Sequence, residues 1–420
     1  MILRSKKRLI IILAVLNMLF SFGMSFAFWA SEVSGDQNTG SSSITLGDWY
    51  DGTPIYTADE FIQAVTTNNN TNTYVLARNI DFQNLSYPAW VNNDNIVFQG
   101  ILDGNGKTIS NITKTNIRGI FGVLQGATVK NLTIENININ YVPSGSISSG
   151  ILAGRIQGTG NSIENIRIKN STGTNTVYTV GTIAGLVQPA TGDTTTVTAT
   201  ISNIKITSTS LEGAFSNNTY GSGGVIGTVI NANLTMSDLY VEAAVSTNTV
   251  SNIGGIIGAT LATGTVTINR AVIFSDLSNT SNSADANLGT AAIVGRNQGS
   301  ITANDTFYSG FLRSYVLNPG NNTYTVQSGI LRAIGNNVTF TNARSAQITI
   351  YRRSSNPSVL INSSTLYNKM TGQIPTFSTA VYQTNRSSLN QSWWTSNYSN
   401  ITNLVIWEYN ATTFLYQLKD

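Results

Sequence analysis

A short apolar run closed by glycine returns along much of this 420-residue chain: GIFG ending at Gly122, GILAG at Gly154, GTIAG at Gly185, GGVIG at Gly227, GGIIG at Gly258 and AAIVG at Gly295. Successive spacings are 32, 31, 42, 31 and 37 residues, a base period near 31 with insertions. Each run is followed by a second, β-branched one: TVKNLTIENI from Thr128, SIENIRIKN from Ser162, TISNIKITS from Thr200, LTMSDLYVEA from Leu234, TVTINRAVIF from Thr265 and SITANDTFYSG from Ser300. Apolar residues in these runs alternate and then skip a place, as at Val129, Leu132 and Ile134, which reads as strand, turn or bulge, strand. A unit this short cannot cover its own apolar face, so copies must stack and bury one another. The prediction is an all-β chain: a right-handed parallel β-helix, a β-solenoid with coils about 4.8 Å apart. The glycines are expected to turn corners at positive φ and to let neighbouring coils approach closely.

Composition agrees with that architecture and removes several chemistries. Charged residues make up 10% of the chain, while Asn, Thr, Ser and Gly abound, a balance that favours strands and turns. The formal charge is +3, but four of the 23 basic residues lie in the first eight, so the chain after residue 27 has one basic residue fewer than its 20 acidic ones. A near-neutral body has no electrostatic footprint for nucleic acid. Neither cysteine nor histidine is present, which excludes disulfides, thiolate nucleophiles, the usual zinc sites and any imidazole base. No cofactor or metal is called for.

The amino terminus, RSKKRLIIILAVLNMLFSFGMSFAFWA, has a basic start, an apolar run from Leu9, and Ser25 and Ala27 at the small-residue positions of a cleavage site before Phe28. Export follows, with cleavage at Ala27–Phe28 or, if uncut, a membrane anchor over residues 9–30. The following FAFWASEVSGDQNTGSSSITLGDW resembles the start of bacterial proteins released by the SipW-type signal peptidase, the group containing TasA and camelysin. The match rests on Phe28, Trp29 and the SITLGDW run, covers about the first fifty residues, and implies a secretion route only.

Asn111, Asn131, Asn165 and Asn203 each lie two residues after an apolar residue, and Asp238 follows in the next copy. Stacked in register, such side chains form an Asn ladder along the rod. The pieces YVLARNIDF at 74–82, FQGILDGNGKTISNIT at 98–113 and RGIFGVLQGATVKNLTIENINI at 118–139 resemble bacterial surface proteins with GLUG-type repeats. That resemblance spans roughly residues 54 to 310. It implies an exported, surface-exposed repeat domain, often an adhesin or part of one, with no catalytic residues to inherit.

Open ends of a β-rod invite polymerisation unless covered. Thr57 with Glu60 forms a capping box ahead of Phe61, Ala64 and Val65, so 58–66 is expected to be a short helix covering the amino end. After about residue 346 the glycine period stops and Trp393, Trp394, Tyr398, Trp407, Tyr409 and Tyr416 appear, an aromatic carboxyl-terminal cap whose last strands form a hairpin about Asn410. The expected organisation is signal 1–27, mature segment 28–53, β-helix 54–345 and cap 346–420.

Three functional readings follow. The leading one is a non-enzymatic surface or matrix β-helix, adhesin-like or structural, whose partners are host or matrix glycans or surface proteins. The second is a polysaccharide lyase or glycoside hydrolase, which needs an acidic cluster on one coil face; Asp276, Asp285 and Asp305 with Arg270 and Arg296 are its candidates. The third is a carbohydrate-binding module using Trp393 and Trp394, set against the simpler role of those rings in closing the core. DGNG at 103–106 is like a calcium-loop fragment but lacks the following ligands, so a tight turn is expected. Arg167 and Lys205 occupy equivalent outward positions and are expected to be solvated.

Overall fold

Strands from successive repeats lie side by side, parallel and in register, in the computed structural model. It describes residues 50–83, 96–115, 117–141, 148–176, 178–214, 219–261, 264–280, 289–314, 332–335, 338–352, 359–361, 382–383 and 389–420. The chain divides into two units, Met1–Trp49 and Tyr50–Asp420, and every described residue lies in the second. Ala27, Phe28, the apolar run at 9–30 and Asp285 therefore fall outside the described residues.

Each central coil contributes three strands, beginning with Ser149–Gly150, Ala153–Gln157 and Asn161–Lys169 and repeating as far as Thr290–Ala291, Val294–Asn297 and Ser300–Ser314. Among the described residues these stack into a five-stranded, an eight-stranded and a sixteen-stranded sheet. The result is the parallel β-solenoid that the repeat predicts. Its core is made of columns in strand register, for example Val129, Ile163, Ile201, Met236 and Ile268, all buried. Burying each such side chain is worth about 1.5–3 kcal/mol.

The skipped place in the apolar alternation is a bulge. Asn131, Asn165, Asn203, Asp238, Arg270, Asp305 and Asn342 have φ between 47° and 62°, forming a left-handed residue at the same level of successive coils. One left-handed residue returns the next side chain to the interior, so Val129 and Leu132, three apart, are both buried. Asn and Asp reach this region at low cost.

The glycine runs do one of the two jobs expected of them, close approach, and not the other. Gly154, Gly185, Gly227, Gly258 and Gly295 follow Gly122 in the register of the eight-stranded sheet, and none has positive φ. A Cβ on Gly185 would sit 2.3 Å from the Ser149 carbonyl oxygen, and one on Gly258 would sit 2.2 Å from the Gly221 carbonyl carbon. Their role is close approach of the five-stranded face, while the asparagine column supplies the positive φ.

At the amino end, helix α1 (Ala58–Thr66) carries the expected capping box. Glu60 accepts from Tyr56 N (2.7 Å) and Thr57 N (2.9 Å), which holds its carboxyl below the usual range. Phe61, Ile62, Ala64 and Val65 are buried against the first coils. At the carboxyl end, α2 (Gln391–Asn397), α3 (Ser399–Thr402) and the hairpin of Trp407–Asn410 with Leu415–Leu418 form the aromatic cap. This cap lies along the side of the rod: Trp394, Tyr398, Ile401, Trp407, Leu415 and Tyr416 pack on the outward residues Tyr240, Val272 and Phe307 of three adjacent coils.

Candidate functional site

The outer side of the sixteen-stranded sheet has a covered part and an open part, separated by the left-handed column. Along that column Asn131 Nδ2 donates to Asp103 Oδ1 (3.1 Å), Asn165 Nδ2 to Asn131 Oδ1 (2.9 Å) and Asn203 Nδ2 to Asn165 Oδ1 (3.2 Å). Asn111 stands elsewhere. The register jumps between Asp103 and Lys107, which moves Asn111 level with Asn136; Asn136 Nδ2 donates to Asn111 Oδ1 (3.2 Å) in a separate row. The same jump is made by DGNG, where Asn105 and Gly106 have positive φ and Asp103 Oδ1 accepts from Asn105 N (2.8 Å); the segment is a bulge within the strand Ile101–Ser110, not the separate tight turn expected.

From Asp238 onward the column carries charge. Arg270 donates through Nε and Nη2 to both carboxylate oxygens of Asp238, each at 2.8 Å, and Trp407 Nε1 donates to Asp238 Oδ1 at 3.0 Å. This bidentate contact holds an arginine at φ 59°. Asp305 accepts from Asn342 Nδ2 (2.6 Å) and Asn400 Nδ2 (2.8 Å). These acids anchor the aromatic cap and do not converge with Asp276, which is exposed and lies six residues along the strand from Arg270, about 20 Å away. Arg296 is on the eight-stranded sheet. Among the described residues no three His, Cys, Asp or Glu side chains gather as a metal site would require.

Arg167 and Lys205 do stack in register, but they are not solvated. Lys205 is buried, with Nζ 2.6 Å from Asp420 Oδ1, and Arg167 Nε donates to the Lys419 carbonyl oxygen at 2.9 Å. Both basic side chains thus tie down the last residues of the cap. The hydrogen bond from Lys205 holds the Asp420 carboxyl below its usual range. A lowered folded-state pKa means stability that is present above the unfolded value of 3.8 and lost as pH falls through the lower folded value. The Asp420 side chain is 90% exposed, so the contribution is below about 1 kcal/mol. Acid titration of tryptophan fluorescence should show a loosening of the cap below about pH 4. The same titration of Asp420→Asn should lack that component.

Trp393 and Trp394 belong to this covered part. Trp394 is fully buried, its ring 4.8 Å from Phe307 and 5.2 Å from Tyr398, with Nε1 donating to the Phe414 carbonyl oxygen at 3.0 Å. Trp393 is half-buried, 5.9 Å from Phe307. The Trp394 ring faces protein and offers no stacking platform for a sugar, because the outward apolar stripe of the rod occupies it.

The open part lies on the other side of the column. Thr128, Ser162, Thr200, Thr235, Thr267, Thr302 and Thr339 are successive register partners, and Thr198, Asn233, Thr265 and Ser300 form a second outward row beside them. A shallow trough of about 380 Å³ runs over both rows.

No known protein-family profile matches the chain, and no curated protein matches it. Two solved structures are similar to it in backbone arrangement, each at 14% identity. One, from Bacteroides ovatus and provisionally named an immunoglobulin A1 protease, matches 88% of this chain and 94% of its own with a TM-score of 0.46. The other, an IgA1 protease, matches 80% of this chain but only 26% of its own length, with a TM-score of 0.50. Identity this low shows the fold alone. The expectation of a non-enzyme is nevertheless corrected by the second of them: a solved chain that shares this architecture carries the name of a peptide-cleaving enzyme, so the β-solenoid itself cannot be used to set catalysis aside. Among the described residues no helix is long and apolar enough to cross a membrane.

Proposed function

We propose that this chain is an exported bacterial β-solenoid of the cell surface or its matrix, adhesin-like or structural, that acts through the open part of its long face. One observation carries the reading: the cap covers the apolar stripe of that face and leaves the adjoining rows of Thr, Ser and Asn uncovered and in unbroken register over several coils. The basic and apolar amino terminus with Ala27 before Phe28 supports export, and the GLUG-like and SipW-like segments support a surface setting.

The test is fractionation of a Gram-positive host expressing the full chain, with amino-terminal sequencing of the product. The protein should appear outside the cell or accessible to added protease, beginning at Phe28 or retained whole at the membrane. Confinement to the cytosol would overturn the proposal. Incubation with immunoglobulin A1 runs alongside because the fold neighbours bear that protease's name; cleavage would replace the recognition reading with a peptidase one.

A further inference from the structure

We infer that the trough on the open face binds a neutral polysaccharide, which lies across the coils along the rod axis. The inference rests on the surface reading above and names its ligand class. Two rows frame the seat: Thr198, Asn233 and Thr265 on one side, Thr200, Thr235 and Thr267 on the other. Register places like groups about 4.8 Å apart along the rod, and the two rows are two residues apart along each strand, about 6.7 Å. The trough therefore offers a grid of hydroxyls and one carboxamide over four coils, about 14 Å long including the coil of Ser162.

The chemistry of this grid selects its occupant. No charged side chain lines the trough, so nothing there pairs with phosphate, sulfate or an acidic peptide. No aromatic side chain lines it either, and charge and aromatic anchors are what protein interfaces rely on. What remains suits a chain of hydroxyls: groups that both donate and accept, alternating with threonine methyls that can lie against sugar C–H faces. The row of Thr198 is already ordered, since its hydroxyl accepts from Gly160 N (2.8 Å) and the Thr265 hydroxyl donates to Asn233 Oδ1 (3.0 Å). The hydroxyls of Thr200, Thr235 and Thr267 have no protein partner among the described residues. Threonine is β-branched and stiff at χ1, so these hydroxyls are held in place by the strand and lose little freedom on binding. A volume near 380 Å³ lies within the range of ligand clefts, enough for a few sugar rings.

The purified exported chain should be tested by affinity electrophoresis and calorimetry against dextran, mannan, laminarin and cellohexaose, with heparin as the charged comparator. At least one neutral glycan should bind and heparin should not. Thr200→Val with Thr235→Val keeps the β-branched shape of two solvent-facing residues but removes their hydroxyls; binding should weaken about tenfold or more, the effect of two lost hydrogen bonds, while the thermal melt is unchanged. The inference is overturned if no neutral glycan binds, if heparin binds in its place, or if the double variant binds as tightly as the parent. A chain located at the surface but indifferent to every glycan would sink the ligand class and leave the surface reading standing.

Discussion

Gly258→Val should leave little soluble, folded protein. The added Cβ would lie 2.2 Å from the Gly221 carbonyl carbon and 2.3 Å from Ser222 N, both backbone atoms of the neighbouring strand, so no side-chain rotation can make room. Overpacking in cores typically costs about 1–3 kcal/mol when side chains can yield. Here the backbone of two faces must separate, and the cost should exceed that range, a large part of the 5–15 kcal/mol that roughly bounds domain stability. Gly192→Val is the control. Gly192 has φ 85° but open space around it, so only backbone strain of about 1–2 kcal/mol is expected. Soluble yield and thermal melting of the two variants decide the matter. A Gly258→Val protein that melts within a few degrees of the parent would show that the glycine column is not a close-packing device.

The same comparison shows which parts of the fold were legible in the amino-acid sequence. The repeat, the parallel stacking and α1 were, because periodic apolar residues and a capping box are local signals. The division of labour between glycine and asparagine was not. Both residues tolerate positive φ, and only the folded structure shows that the Gly154 to Gly295 column does not use it while Asn131, Asn165 and Asn203 do, as bulges within their strands. Arg270 at φ 59° had no signal of its own, since its stabilising partner Asp238 lies one coil earlier and becomes adjacent only by stacking. Asn111 was misplaced because TISN at 108–111 looks like both TVKN at 128–131 and TIEN at 133–136, and the strand register, shifted by two residues at DGNG, pairs it with the second.

The placement of the cap was readable in principle. The outward position that is Thr133, Arg167 and Lys205 in earlier coils becomes Tyr240, Val272 and Phe307 in later ones. A solvent-facing column that turns apolar for three coils needs a cover, and an aromatic-rich stretch follows the repeats at 389–418. The missed clue was thus a change in one column, invisible while each repeat is read along the chain and plain once the repeats are aligned across it.

Trp394→Ala should therefore release the cap and spare the rod. Truncating a fully buried tryptophan costs about 3–5 kcal/mol, and here it also removes the indole N–H bonded to the Phe414 carbonyl oxygen and the ring packed on Phe307, Tyr398 and Tyr416. The cluster that loses these contacts is separate from the aliphatic core of the coils, so the damage has no direct route inward. Hydrogen exchange should show the amides of 391–402 and 407–418 losing protection while those of Ile201 to Ile206 keep theirs. A dye that binds apolar surface should report the uncovered Tyr240, Val272 and Phe307. Trp394→Phe should recover much of the packing without the hydrogen bond and fall between the two. If the rod amides lose protection together with the cap, the two are one cooperative unit, and the side cover must be counted as part of what holds the coils together.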